Sequence, residues 1–316
     1  MVSQAEYNVF QSYGWGEFKR RHGWIVRRGS ILLGGSPVAM AQCLIREIRP
    51  LRTVVMWVPG GATGRAQEWL NLGELLQQRY RGWRFYLRAN IVQEERSEDK
   101  VELRGSGWLP AHVWAGFPIT FHLDLSQDEK VRRQALTANW RHNLNRGENR
   151  GTCVQVLDND EALVSVYRLY RRVADLKRIA PTKSLEDLKA LRDILASSFT
   201  LGVAMSEEGK PSAFRAFATV GKRAQELLAG VSAEGRKTYA SYLLMWRLIQ
   251  LARDQGVVLY DLSGADPKHA PGVYNFKKGI GGRMVNLLGE WDWTDTRTIR
   301  WAVNFGIRFR HLRMAT

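Results

Sequence analysis

The sequence predicts an α+β protein of two tandem domains, each a mixed, mainly antiparallel sheet flanked by helices. The first ground is length: 316 residues exceed what one small core organises and suit two. The second is composition, 45% hydrophobic and 25% charged with no low-complexity tract, enough apolar surface to offset the entropy of ordering. The third is order. Each half runs through short strands joined by turns, an amphipathic helix and a further strand.

In the first half, Ile31–Leu33 and Val38–Ile48 flank the hairpin signal Gly34-Gly35-Ser36-Pro37, and Val54–Val58 extends the sheet to Pro59-Gly60-Gly61. Trp69, Leu72, Leu75, Leu76 and Tyr80 recur at helical spacing between Arg65 and Arg81, after which Phe85–Leu87 resumes the sheet. Glu94–Gly107 is rich in charge and reads as an exposed loop. Ser126-Gln127-Asp128-Glu129 has the spacing of a capping box and predicts a helix to about Arg146, rich in arginine.

The second half opens with strand Cys153–Leu157, a helix capped by Asp158 with Glu161 three positions on, and a helix starting at Ser184 with Asp187 in its first turn. Phe199–Met205, Ala213–Val220 and Glu226–Val231 read as a meander. Helix Lys237–Gln255 ends at Gly256, and strand Val257–Leu262 opens into a glycine-rich loop. This repeated order is what an acetyltransferase-like (GNAT) domain written twice would give. The division is 1–147 and 148–295, with the last helix, 296–316, packing back on the first domain.

Cys43 and Cys153 are the two cysteines, each flanked by apolar residues, which suits buried thiols better than a disulfide or metal site. The six histidines show no metal spacing, so no metal and no bound cofactor is expected. No run approaches the roughly 20 apolar residues of a membrane-spanning helix, and Met1 to Phe10 lacks a basic stretch followed by an apolar one. A cytoplasmic protein is expected, with peripheral contact at the inner membrane face open to it. The net charge of +16 favours polyanionic partners: nucleic acid, anionic lipid or a pyrophosphate-linked substrate.

The stretch richest in chemistry runs from Tyr260-Asp261-Leu262-Ser263-Gly264-Ala265-Asp266 to Tyr274-Asn275-Phe276-Lys277-Lys278-Gly279, where a buried strand ends in a polar turn and a lysine pair closes the loop. Together with Lys237-Thr238-Tyr239-Ala240-Ser241-Tyr242 this resembles the C-terminal signature of the Fem family. Gln11-Ser12-Tyr13-Gly14-Trp15-Gly16-Glu17-Phe18-Lys19 is similar to that family's opening, and Asn139-Trp140-Arg141-His142-Asn143-Leu144-Asn145-Arg146 to its basic inter-domain helix.

The resemblance implies two GNAT-like domains and transfer of an amino acid from aminoacyl-tRNA to the amine of a peptidoglycan precursor, nucleotide-linked or lipid-linked. Phe276 and Lys277 take the places of the family's catalytic pair, and Lys19 and, less closely, Lys183 those of its diphosphate contacts. Arg141, Tyr239, Tyr242 and Tyr274 are further candidates for substrate binding. An amine attacking an ester carbonyl leaves charge on the oxygen, which an ammonium at Lys277 would stabilise. Asp261 and Asp266 are the candidate bases, although an Asp at a strand end more often caps backbone N–H groups.

Two family features are missing: the turn Val58-Pro59-Gly60-Gly61-Ala62 lacks an arginine, and Glu226-Leu227-Leu228-Ala229-Gly230 lacks acceptor-pocket aromatics. The enzymatic alternative is acyl-CoA-dependent N-acyl transfer, against which Tyr239 stands where a pyrophosphate loop needs glycine. A second alternative is a non-enzymatic binder of nucleic acid or anionic membrane through Arg20-Arg21, Arg27-Arg28 and Phe309-Arg310-His311.

Overall fold

The computed structural model describes residues 8–177 and 181–315, with side chains described through Phe309. The N-terminal segment before Asn8, part of the stretch read for a leader, lies outside the described residues, as do the side chains of Arg310 and His311.

The chain divides into two compact units, the first from Met1–Ile119 with Val285–Arg313, the second centred on Thr120–Met284. The boundaries therefore fall at 119/120 and 284/285 instead of 147/148 and 295/296. Residues 120–147 go with the second sheet, and the strand before the last helix completes the first.

In chain order the first unit contains α1 (Tyr13–Arg21), β1 (Ile25–Leu33), β2 (Ser36–Ile48), β3 (Thr53–Gly60), α2 (Leu72–Gln78), β4 (Arg84–Glu94), α3 (Ser97–Gly105) and β5 (Leu109–Pro110). There follow β6 (Ile119–Asp124), α4 (Glu129–Ala135), α5 (Ala138–Glu148), β7 (Cys153–Val156), α6 (Asp160–Leu176) and α7 (Leu185–Leu195). The second unit continues with β8 (Phe199–Met205), β9 (Pro211–Val220), β10 (Arg223–Val231), α8 (Ala233–Lys237), α9 (Ala240–Asp254), β11 (Leu259–Asp261) and α10 (Pro271–Gly279). β12 (Arg283–Thr294) and α11 (Arg297–Ala315) return to the first unit.

Both units write the same sentence. In the first, β1, β2 and β3 form an antiparallel meander, α2 crosses over, and β4 lies parallel to β3 with β12 antiparallel beyond it. In the second, β8, β9 and β10 form the meander, α9 crosses over, and β11 lies parallel to β10 with β6 antiparallel beyond it. The α+β class and mainly antiparallel sheets expected from the sequence are thus present. The first core buries Val54, Met56, Phe85, Leu87, Trp69 and Trp108, the second Leu163, Leu169, Val203, Phe214 and Ala216. α11 is keyed by Asn304, which donates to Asp292 Oδ2 at 3.0 Å and accepts from Arg88 Nη2 at 2.8 Å.

Several local expectations are corrected. Glu94–Gly107 is not all loop: α3 forms there because Leu103 has a core to enter and Glu98 and Asp99 suit its first turn. Ser126 does not cap a helix, since its hydroxyl donates to Asp124 Oδ1 at 2.6 Å, and α4 begins at Glu129. The predicted long helix breaks at Leu136, where Thr137 caps α5 by accepting from Trp140 N. α6 is capped by Asn159, not Asp158, with Ala162 N as donor at 2.8 Å. The helix expected between Arg65 and Arg81 is a single turn, Ala66–Trp69, followed by α2. Helix Lys237–Gln255 is split by Tyr239, whose φ of 57° is left-handed. Cys153 is exposed on an edge strand, whereas Cys43 is buried and its thiol pushed up to about 12 by that burial. The reciprocal Ser184–Asp187 box is formed as expected.

Candidate functional site

Phe276 and Lys277 lie on a helix, not in a loop. Pro271 at the first helical position has the φ that α10 needs and no N–H to leave unpaired, so the segment winds up directly after the 262–270 turn. Winding puts Lys277 inside, 7% exposed. Its Nζ donates to three successive carbonyl oxygens of the strand-end turn, Leu262 at 2.5 Å, Ser263 at 3.3 Å and Gly264 at 2.8 Å. Ser263 is left-handed (φ 59°), and Asp261 Oδ1 accepts its N–H at 2.8 Å, so the turn is strained and held from both ends.

The counter-charge is Glu226, whose Oε2 stands 3.8 Å from Nζ while Oε1 accepts a close hydrogen bond from Arg215. Burial pushes the Lys277 ammonium below the usual lysine range, and the Glu226 charge opposes that shift. The pairing of β9 with β10 slips at Glu226/Leu228, a bulge beside which Glu226 O accepts Ser263 Oγ at 2.5 Å. Arg215 also lies over the Phe276 ring, 4.6 Å from its centroid. That ring packs at 5.6 Å on Trp140 and 5.0 Å on Tyr242, and its backbone carbonyl accepts from Trp140 Nε1.

Arg215 and Glu226 were not singled out in the sequence. The signal was there: each is a charge beside small or apolar strand residues, Ala213-Phe214-Arg215-Ala216 and Glu226-Leu227-Leu228-Ala229, where a buried charge needs a partner.

The other candidates divide. Tyr239 joins the site through Tyr242 and accepts from Arg146 Nη1 at 2.6 Å, with Arg150 also over its ring. Asp261 is buried; its oxygens meet Thr120, Ser263 N, Arg223 and His122. Burial alone would raise its carboxyl, but His122, Arg223 and Thr120 outweigh that and hold it far below the usual carboxylate range. Asp266 caps the next turn, accepting from Lys268 N, His269 N and His269 Nδ1.

Arg141 donates to Gln134 O and Leu136 O, closing the end of α4. Tyr274 packs on Phe121 at 5.5 Å. Lys183 precedes α7 and its Ser184 cap. Lys19 is on α1 of the first unit, its Nζ 5.0 Å from the Trp15 ring and 5.8 Å from that of Trp57. Among the described residues no group of three or more His, Cys, Asp or Glu is placed to hold a metal.

Fold and site first define a class, a tandem acetyltransferase-like protein with a buried lysine at the strand-end turn of its second unit. Within that class, residues 210–306 match the model of the FemAB family. The fold is similar to that of FemX, at a TM-score of 0.84 and 14% identity over 96% of each chain. It is also similar to L-PGS from Bacillus licheniformis (TM-score 0.54, 16% identity, 92% of this chain and 90% of that one). A tandem GNAT protein from the clavulanic acid biosynthesis pathway matches at 0.54 and 16% over 86% and 83% of the chains. No curated protein sequence gives a significant match.

Proposed function

We propose that this protein is an amide-forming acyltransferase that moves an amino acid from aminoacyl-tRNA to the amine of a peptidoglycan precursor, with aminoacyl-tRNA as co-substrate and no bound cofactor. Transferase character is supported at family level by the FemAB match. The observation that carries the finer reading is Lys277, buried beside Phe276 within the matched residues. The acceptor nitrogen attacks the ester carbonyl, a C–N bond forms, the C–O bond to the ribose breaks, and the ribose oxygen takes a proton from the amine. Lys277 turns one N–H, that of its longest bond at 3.3 Å, toward the oxyanion. Asp261 is the wrong group for a base, because its neighbours favour the ionised form too strongly for it to accept a proton near neutral pH.

In this reading the aromatic group of Phe276, Tyr242 and Tyr239 positions the aminoacyl end. Acyl-CoA transfer is disfavoured because left-handed Tyr239, not a glycine-rich cradle, opens α9. Contact with an anionic membrane is assigned to α11, which exposes Trp301, Phe305 and Phe309 on one face beside Arg297 and Arg308. The test is incubation of purified protein with a mixed aminoacyl-tRNA pool and nucleotide-linked or lipid-linked muropeptides, read by mass. A gain of one amino-acid residue that ribonuclease abolishes is expected. Gain from an acyl-CoA pool instead, or from neither donor, would overturn the reading.

A further inference from the structure

A second set of buried donors in the second unit has no partner and no part in the chemistry above. Arg132 on α4 is 8% exposed, yet its Nε and Nη1 are buried without a hydrogen-bond acceptor. Its guanidinium lies over the Trp246 ring at 5.7 Å, and Trp246 Nε1 is itself buried and unsatisfied. Both residues line a cavity of about 210 Å³ whose wall also includes Gln127, Leu123, Ile249 and Ile280. A buried guanidinium without a counter-ion is costly, and two orphaned donor groups on one cavity make the lack specific.

The nearby charges do not supply the missing partner. Asp124 is the carboxylate on the wall, but its Oδ1 accepts from Ser126 N and Oγ and its Oδ2 from Gln127. Arg253 adds like charge, although Glu129 and Asp254 act favourably from further off. The wall is mixed, with His122 and Arg283 beside Leu123, Leu125, Ile249 and Ile280, and buried donors on such a wall are the recognition chemistry of a small oxyanion.

We infer that the Arg132–Trp246 cavity binds an oxyanion, the phosphoryl or carboxylate group of a small ligand, separately from the Lys277 turn. The inference does not rest on aminoacyl transfer, so each can fail without the other.

The test is titration of the full chain with inorganic phosphate and, separately, acetate, followed by calorimetry and by the shift in melting temperature. Saturable binding of at least one probe is expected, weakened about tenfold or more in Arg132→Met and unchanged in Arg247→Gln on the exposed side of α9. Response to phosphate alone identifies a phosphoryl ligand, and response to acetate alone a carboxylate. If Arg132→Met does not fold, Trp246→Phe, which removes the indole N–H, should weaken binding. No saturable response in the wild type would overturn the assignment. So would undiminished binding in whichever of Arg132→Met and Trp246→Phe is folded, or an equal loss in Arg247→Gln.

Discussion

Burial disfavours the charge on Lys277, and three carbonyl oxygens and Glu226 around its Nζ oppose that. Lys277→Met should therefore do two things. Transfer should fall about a hundredfold through loss of the oxyanion partner. Stability should fall by about 1–3 kcal/mol because the carbonyls are left unpaired. Turnover near wild type, measured well below the variant's melting temperature, would remove Lys277 from the mechanism. Asp261 gives a pH signature. Its folded pKa lies below its ordinary value of 3.8, so its stabilisation is fully present above that value and is lost as pH falls through and below it. The melting-temperature gap between wild type and Asp261→Asn should be widest above about pH 5 and should close toward pH 2. A gap that stays constant across that range would show that Asp261 contributes no proton-linked stability.

At the level of elements, α11 depends on one polar key. Asn304 joins Arg88 to Asp292 in a network that also takes Tyr86 and Arg300, all within the first unit. Asn304→Ala leaves a buried guanidinium and carboxylate short of partners and should cost about 2–4 kcal/mol in denaturant unfolding. A loss below about 0.5 kcal/mol, the size of an ordinary surface change, would mean that the helix is held by its apolar contacts alone. The opposite face makes its own prediction. Trp301 and Phe305 stack at 5.4 Å while 68% and 56% exposed, so replacing both with Ser should abolish sedimentation with anionic vesicles and leave the melting temperature nearly unchanged. Equal sedimentation of wild type and variant would move the membrane contact elsewhere. These elements also show what a sequence can disclose. The meanders, the crossover helices and the Ser184 cap were legible because period and turn chemistry are local properties. The break at Leu136, the cap by Asn159 and the winding of α10 were not. Each is decided by which of several adjacent polar groups finds a partner. The Arg215–Glu226–Lys277 cluster was half legible: Lys277 stood in a recognisable motif, but its partners came from strands more than fifty residues upstream.

At the scale of the whole molecule the governing quantity is charge, 47 basic residues against 31 acidic. If tRNA is the donor, its phosphates must be met by Lys and Arg, and binding releases the counterions condensed on the RNA. In the second unit, Arg146 and Arg150 already gather at Tyr239, beside the aromatic group around Phe276. The expectation is a linear fall of log affinity with log salt, with a slope of about −3 to −6 for roughly four to seven phosphate contacts. Arg150→Gln should reduce the magnitude of that slope by about one and weaken every aminoacyl-tRNA alike, since a phosphate contact carries no sequence information. Replacing Trp301 and Phe305 should leave the slope as it was, which separates the RNA surface from the membrane one. A slope near zero would contradict a polyanionic donor outright. A steep slope that Arg150→Gln leaves untouched would place the RNA on some other basic face of this strongly cationic chain.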